Sequence, residues 1–501
     1  NERLYETEQE ISKIKERFQS YITREEETYF QEDYTQLVQK YHILDEKGEK
    51  DEKPEETLLA VCAINGLLAY LEETQKIKLE HINSIKIYKI QKYMSLDITA
   101  RRNLELTEKM KDKSKKGTLL WVLDKTNTSM GGRHLRRWLN DPLIDVTEIN
   151  QRLNAVKELK ENAILKGEVI TSLKKIYDIE RLVGKISYGN TNARDMISLK
   201  NSLKQLPDIK KLLGQTNSEM LQKLYQEIDE LQDIYSLIDK AIVDEPPLSV
   251  KEGGMIKLGY NEEIDRLKTA TTEGRNWIIA IETKEKEKTG IKNLKVGYTK
   301  VFGYYLEVTK SYLNQVPDYY IRKQTLTNCE RYITEELKKV EEEVLGAEEK
   351  VIDLEYKAFT DIRTKITEQI ERLQTTANSI AILDVLTSFA TIAEDYNYTM
   401  PIVDNGGEID IKEGRHPVIE RMLPTGSFVQ NDTYLNTEED RLAMITGPNM
   451  AGKSTYMRQV ALITLMAQCG SFVPAEYAKI GVVDKIFTRV GASDDLSMGQ
   501  S

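Results

Sequence analysis

Eight consecutive residues, Gly447-Pro448-Asn449-Met450-Ala451-Gly452-Lys453-Ser454, carry the clearest chemistry in this 501-residue chain. They fit the pattern GxxxxGK[ST] at every fixed position. The glycines let the backbone curl so that successive N–H groups face one phosphate. A helix starting where the loop ends turns its positive dipole end toward the same anion. Lys453 adds a cation for the β- and γ-phosphates, and the Ser454 hydroxyl is placed to ligate Mg2+. These residue types spell a site for ATP or ADP with Mg2+. Hydrolysis also needs an acid that holds the metal or activates water. Asp484 ends the run Ile480-Gly-Val-Val-Asp484, about 30 residues past Lys453. It reads better as a surface acid after a strand, so a complete hydrolytic set is not visible.

Such a loop has to be held between a strand and a helix. The apolar run Arg441-Leu-Ala-Met-Ile-Thr446 predicts the strand and Thr455 to Gln468 the helix, a strand–loop–helix unit of an α/β domain that begins near Tyr396. Upstream, residues 333–393 hold no proline and one glycine, Gly346. Their apolar residues fall at 333, 337, 340, 344, 347, 351, 354 and 358, a heptad seam. A continuous helix of that length would be a rod of about 90 Å. A bundle helix and a two-stranded coiled coil both fit it. The alternation of Val296, Tyr298, Val301, Phe302, Tyr304, Leu306 and Val308 predicts a strand hairpin with Gly303 at its turn or a bulge. Residues 57–74 predict a helix, and 118–140 a helix, a turn at Gly131-Gly132 and a second helix. Amphipathic helices follow to about residue 243, and Pro246-Pro247 with Gly253-Gly254 mark a boundary.

Composition sets the frame. The chain is 40% hydrophobic and 31% charged with only 11 prolines, which argues for long solvated helices on real cores and excludes disorder for most of it. At roughly 150 residues per domain it should hold about three. Cys62, Cys329 and Cys469 stand far apart and the four histidines are scattered, so neither a disulfide framework nor structural zinc is expected. A reducing compartment fits. No apolar run reaches 18 residues, so no membrane span is predicted. A start at Asn1 and a stop at Ser501 read as a piece of a longer protein. The net charge of −11 argues against nucleic acid, but it is uneven. Residues 1–56 hold 9 basic and 17 acidic residues, 284–331 hold 10 and 5, and 101–137 hold 11 and 4.

Thr446-Gly-Pro-Asn-Met-Ala-Gly-Lys-Ser-Thr-Tyr-Met-Arg-Gln459 resembles the P-loop of the MutS family of DNA mismatch-repair ATPases. Phe487 to Ser501 resembles that family's second ATPase motif, and Gly414-Arg-His-Pro417 the entry to its ATPase domain. Gly259-Tyr-Asn-Glu-Glu263, Val301 to Tyr305 and Gln324 to Tyr332 resemble its clamp and lever segments. The resemblance covers the chain from about residue 55. It implies a multidomain, mainly α protein: a connector tail at 1–53, a helical core and lever at 54–264, a small β-rich clamp at 265–332, a long lever helix at 333–395, and part of an α/β ABC-type P-loop ATPase domain at 396–501.

The same resemblance assigns residues. Gly447 to Ser454 with Thr455 would hold ATP phosphates, and Ser454 the Mg2+. Phe428, in Ser-Phe-Val-Gln-Asn431, would stack on adenine, with Asn431 in the same segment. Ser501 would reach the γ-phosphate held by the other subunit of a homodimer. Lys292, Lys295, Lys300, Lys310, Arg322, Lys323 and Arg331, with Asn328 as a polar donor, are the candidates for duplex DNA phosphates. Partners of the MutL type and a cytoplasmic, nucleoid-associated setting follow from the family. The mismatch-reading N-terminal domain, most of the connector, the acidic hydrolysis motif and the C-terminal dimer element have no counterpart in these residues. Rival readings are a MutS-like paralogue acting on branched or recombination DNA, and a nucleotide-dependent scaffold without efficient hydrolysis. A chromosome-organising coiled-coil ATPase fits less well, because there the P-loop precedes the coil.

Overall fold

The structure, a computed structural model, describes residues 27–30, 42–44, 58–75, 82, 84–86, 92–299, 301–424, 426–448 and 451–489. The chain falls into two units, residues 1–91 and 92–501. In the first, β1 (His42–Leu44) pairs in parallel with β2 (Ser84–Lys86). Parallel neighbours need a crossover, and the helix α1 (Leu58–Gln75) lies in that connection. Val61, Ile64 and Leu68 on α1 pack with Ile82 and Ile85. The ring of Phe30 lies so close to Gly66 that a Cβ there would meet it at 2.5 Å. The sequence places this helix with the core; it packs within the first unit.

The second unit holds the helical core. Its α2 (Ser129–Asn140) corrects one expectation: Gly131 and Gly132 lie inside the first turns of this helix, not in a turn before it. Thr128 is its N-cap, accepting the Gly131 N–H at 2.9 Å. Gly131 is needed because the Asp384 carboxylate sits where its Cβ would be. The helix α3 (Val146–Glu161) follows.

The first half of the heptad seam packs on another helix of the same chain, and its far end, Leu354 and Ala358, packs on the core. The helices α4 (Glu262–Thr289) and α5 (Glu335–Thr367) run side by side. Lys284 pairs with Glu336 at 2.8 Å and Lys268 with Glu355 at 2.5 Å, so the two helices are antiparallel. The segment between them forms a four-stranded antiparallel sheet of order β3-β4-β6-β5: β3 (Lys295–Thr299), β4 (Gly303–Thr309), β5 (Ile321–Thr325) and β6 (Cys329–Ile333). The hairpin read from the sequence is β3–β4, with Gly303 at φ 71°. Ile278 and Ile281 of α4, Leu306 and Val308 of β4, and Leu337 and Val344 of α5 form one core that fixes the sheet on the arm.

The single rod expected over 333–393 is two helices. α5 ends at Thr367 and α6 (Ile370–Asp395) begins just beyond it, with Gln369 out of the helical region at φ −108°, ψ 17°. No proline or glycine marks the break. The environment changes there: α5 buries one stripe, against α4 in its first half, whereas α6 from Thr376 on is buried on nearly every side among core helices, polar Ser379, Asp384, Thr387 and Ser388 included. Arg372, just past the break, binds Asp229 at 2.7 Å, Asp233 at 2.8 Å and the Gln369 amide oxygen at 3.0 Å, which pins the new direction. α6 is also long and apolar enough to cross a membrane by length and composition, but 83% of its most apolar window is buried in the fold.

Beyond α6 lies a mixed four-stranded sheet of order β9-β8-β10-β7: β7 (Ile402–Asp404), β8 (Ile409–Gly414), β9 (Asn431–Leu435) and β10 (Tyr477–Gly481). The short helix α7 (Pro417–Met422) and the helix α8 (Lys453–Gln468) complete this part. The strand expected at 441–446 is absent: this segment is irregular, with Leu442 and Met444 each 85% exposed. A strand forms only where a neighbour takes up its backbone groups, and among the described residues none pairs with it.

Candidate functional site

The phosphate loop runs straight into α8. Gly452, the residue before this helix, takes φ 85°, a conformation open to glycine and strained for other residues. The first N–H groups of α8 therefore point out of the loop with no intrahelical partner. Lys453 lies folded over the loop, its Nζ donating to the Gly447 carbonyl at 2.9 Å and to the Pro448 carbonyl at 2.6 Å. The ammonium is thus at the loop's mouth, on bonds that an anion could replace.

A cleft of about 600 Å³ opens here, lined by Ala451, Gly452, Lys453 and Thr455 together with Phe428 and Asn431. The two segments that the resemblance assigns to one nucleotide meet in one cavity. Phe428 is half-buried, and the Asn431 amide donates to the Val429 carbonyl at 2.9 Å. The sequence missed Tyr456, Val429, Ile445 and Thr446, which complete the wall. Tyr456 was within reach of sequence reasoning: it lies three residues past Lys453 and so shares its helix face. Its hydroxyl lies 2.9 Å from that of Thr433 and donates to the Asp432 carbonyl at 3.0 Å, tying the loop helix to β9.

Ser454 faces the other flank of α8. With Met457, Arg458 and Ala461, at steps of three and four, it lines a second cavity of about 220 Å³ with Leu104, Ile486, Phe487, Thr488 and Arg489. Neither cavity is lined by an aspartate or glutamate among the described residues. Asp484 is exposed and lines neither; its backbone carbonyl accepts from Ser95 N at 2.7 Å. Asn449, Met450 and Ser501 lie outside the described residues.

The Arg415-His416-Pro417 segment anchors this region. Arg415 donates to the Tyr396 and Asn397 carbonyls, both at 3.3 Å, just past α6. His416 is fully buried and caps α7, its Nδ1 accepting from Val418 N and Ile419 N at 3.2 Å each. Burial, with the Arg458 guanidinium adding to it, pushes its pKa down to about 3.

The basic residues cluster on the sheet at the end of the arm, and their surroundings divide them. Lys292, Lys295, Lys310, Lys323 and Asn328 are exposed. Lys323 stands at the irregularity in β5, an edge strand. Arg322 is exposed and lies 3.8 Å from Glu330. Arg331 is different: its guanidinium binds Glu307 at 3.2 Å and the Gln324 amide at 2.9 Å and lies over the Tyr305 ring at 4.2 Å. Its donors are turned into the sheet. Lys300 lies outside the described residues. On α5, the Glu341 carboxylate accepts the Tyr304 N–H at 2.9 Å, which fixes the β3–β4 turn to the arm.

Comparison with known families agrees with this architecture. A model described as MutS domain III matches residues 99–390, and one described as MutS domain V matches 443–501. A DNA mismatch repair protein MutS from Acetivibrio thermocellus is 56% identical over 491 residues, covering 97% of this chain and 56% of the relative. One from Ruminiclostridium cellulolyticum is 54% identical over 490 residues, 98% of this chain and 56% of the relative. One from Alkaliphilus oremlandii is 57% identical over 443 residues, 88% and 50% respectively. The chain spans about half the length of the curated relatives it matches.

Proposed function

The chain belongs to the MutS family, and from that premise we propose that it is the nucleotide-binding and DNA-gripping portion of a DNA mismatch-repair ATPase. The observation that carries this reading is the cleft in which the phosphate loop, Phe428 and Asn431 converge. A nucleotide would lay its phosphates on the free N–H groups of Gly452 to Thr455, at the positive end of α8. Lys453 would exchange its two carbonyl bonds for phosphate oxygens. Phe428 would offer its ring to the base. The donors present fit phosphates well. For Mg2+ the cleft offers no carboxylate among the described residues, and Ser454, the expected ligand, lines the neighbouring cavity instead. When bound, the metal would offset charge on the β- and γ-phosphates. Hydrolysis, a second subunit contributing Ser501, and partners of the MutL type belong to the whole protein in this reading.

Duplex DNA would lie against the exposed cations of the sheet. Their mixed lysine and amide character suits phosphates rather than base edges. The arm α4/α5 joins that sheet to the core, and α6 continues to the nucleotide-binding part. A DNA-dependent change in nucleotide affinity then needs a difference in ATP affinity between two arm positions. The direct test is Lys453→Ala with ADP binding measured by equilibrium dialysis. Affinity should fall at least tenfold while the thermal transition stays in place. Unchanged affinity would remove the nucleotide site and the reading with it.

A further inference from the structure

The far end of the phosphate-loop helix is held in an unusual way. Arg152 of α3 is buried and makes no ion pair among the described residues; the carboxylate that acts on its charge, Glu148 one turn back, lies 3.8 Å from Lys92 instead. Its Nη1 donates to the Cys469 carbonyl at 3.1 Å, and its guanidinium lies over the Trp138 ring at 3.5 Å. Cys469 is the residue that closes α8, so its carbonyl belongs to the negative end of that helix. Four more hydrogen bonds meet there. The Cys469 thiol donates to the Trp138 carbonyl at 3.2 Å. The Gln468 amide donates to the Leu143 and Val483 carbonyls at 2.7 and 3.0 Å. Leu143 N donates to the Gln468 carbonyl at 3.1 Å. Trp138 in turn packs against Phe389 of α6, ring centres 6.1 Å apart. Gly470 takes φ 83°, and a Cβ there would run into the Arg152 side chain.

We propose that Arg152 is a positioning residue for the nucleotide site: it fastens the C-terminal end of the phosphate-loop helix to α2, α3 and α6, so that occupancy at one end of the helix is felt in the core at the other. This rests on the reading that the loop binds nucleotide, and goes beyond it by naming the joint. α8 is a stiff rod of about 24 Å. Whatever draws its N-terminus toward a phosphate must shift or load its other end. A joint needed only for packing would be served by an apolar side chain, because a buried cation without a counter-ion is costly. Burial lowers the Arg152 pKa to about 10, still well above neutrality, so the charge is retained. One charged bond to one terminal carbonyl, backed by the stack on Trp138, fixes the position of the helix end in a way that packing does not. The joint also leads on: Trp138 to Phe389 on α6, then α5, then Glu341 and the sheet.

Hydrogen exchange of the amides in residues 129–156, measured in the full chain with and without Mg-ADP, tests the joint. Nucleotide should slow exchange there by on the order of tenfold, within the usual range of coupling between sites. Arg152→Met, which removes a buried charge and so should fold at least as well, should bind ADP within about threefold of the parent yet lose the slowing. Arg152→Lys should restore part of it, since charge and reach remain. The same slowing in Arg152→Met overturns the proposal, and so does a parent chain that binds ADP without any change in this segment. A parent chain that binds no ADP, as read by dialysis against the Lys453→Ala control, brings down the nucleotide reading, and the joint falls with it.

Discussion

Two histidines, His416 fully buried and His134 half-buried, should make this protein acid-sensitive at the level of single residues. His416 has a pKa of about 3 and His134 about 4, both lowered first by burial and then by a neighbouring arginine. The unfolded chain titrates them near about 6.5. A folded pKa below the unfolded one gives stability that is complete above pH ~6.5 and is lost as pH falls toward the folded value. Between pH ~6.5 and ~5 each histidine should cost about 2 kcal/mol. Urea denaturation at those two pH values measures it, and His416→Asn, which can still cap α7, should flatten its share. A pH-independent midpoint would mean that these rings are hydrated. Asp384 gives a second residue-scale expectation. It is buried in α6 and accepts the N–H groups of Asn127 and Thr128, at 2.9 and 2.7 Å, and the Thr128 hydroxyl at 2.8 Å. Asp384→Ala strands those donors, each worth about 1–3 kcal/mol when buried and unpaired, so the core should lose at least about 3 kcal/mol in the same urea measurement. None of this was legible in the sequence. Gly131-Gly132 reads as a turn because nothing local shows a carboxylate arriving from a helix far downstream.

At the scale of elements, periodic signals were legible and terminations were not. The heptad seam is a packed helical stripe from 337 to 358, its first position Ile333 belonging to β6, and the alternation at 296–309 is a hairpin, because burial on one face writes a period into the sequence. The break at Glu368-Gln369 carries no such mark, because it follows from what the helix packs on rather than from its own residues. The missing strand at 441–446 makes the same point in reverse. An apolar run announces that a segment could be covered, and its neighbours decide whether it is. The arm offers a test. Gly274 of α4 faces Val344 of α5 so closely that a Cβ would meet the valine methyl. Gly274→Ala should therefore wedge the pair apart at about 1–3 kcal/mol. Exchange should quicken in 262–289 and 335–355 and stay unchanged in α6. Uniform quickening would show that arm and core unfold as one.

Over the whole molecule, charge is what the sum conceals. A net charge of −11 suggests a chain that avoids nucleic acid. The exposed cations of 284–331 lie on and beside one sheet at the end of a long arm, far in sequence from the acidic first segment. The distribution by segment was legible in advance; which cations remain available was not, because ion pairs depend on strand register. Arg331 reads in sequence like its neighbours, yet β4 sets Glu307 opposite it, and that carboxylate takes its guanidinium. Two variants should thus part company. Lys292→Glu, Lys310→Glu and Lys323→Glu combined should weaken duplex binding and shrink the slope of log affinity against log salt by roughly 2–3, at about 0.9 for each phosphate no longer neutralised. The thermal midpoint should stay where it was, since these side chains are exposed. Arg331→Gln should do the opposite. It should lower the midpoint, because Glu307 loses its cation and Tyr305 its stacked guanidinium, while the salt slope stays within about one unit of the parent. If the triple variant keeps the parental slope, the sheet is not the DNA-gripping surface. If Arg331→Gln alone takes the slope away, the guanidinium leaves Glu307 for a phosphate when DNA is bound.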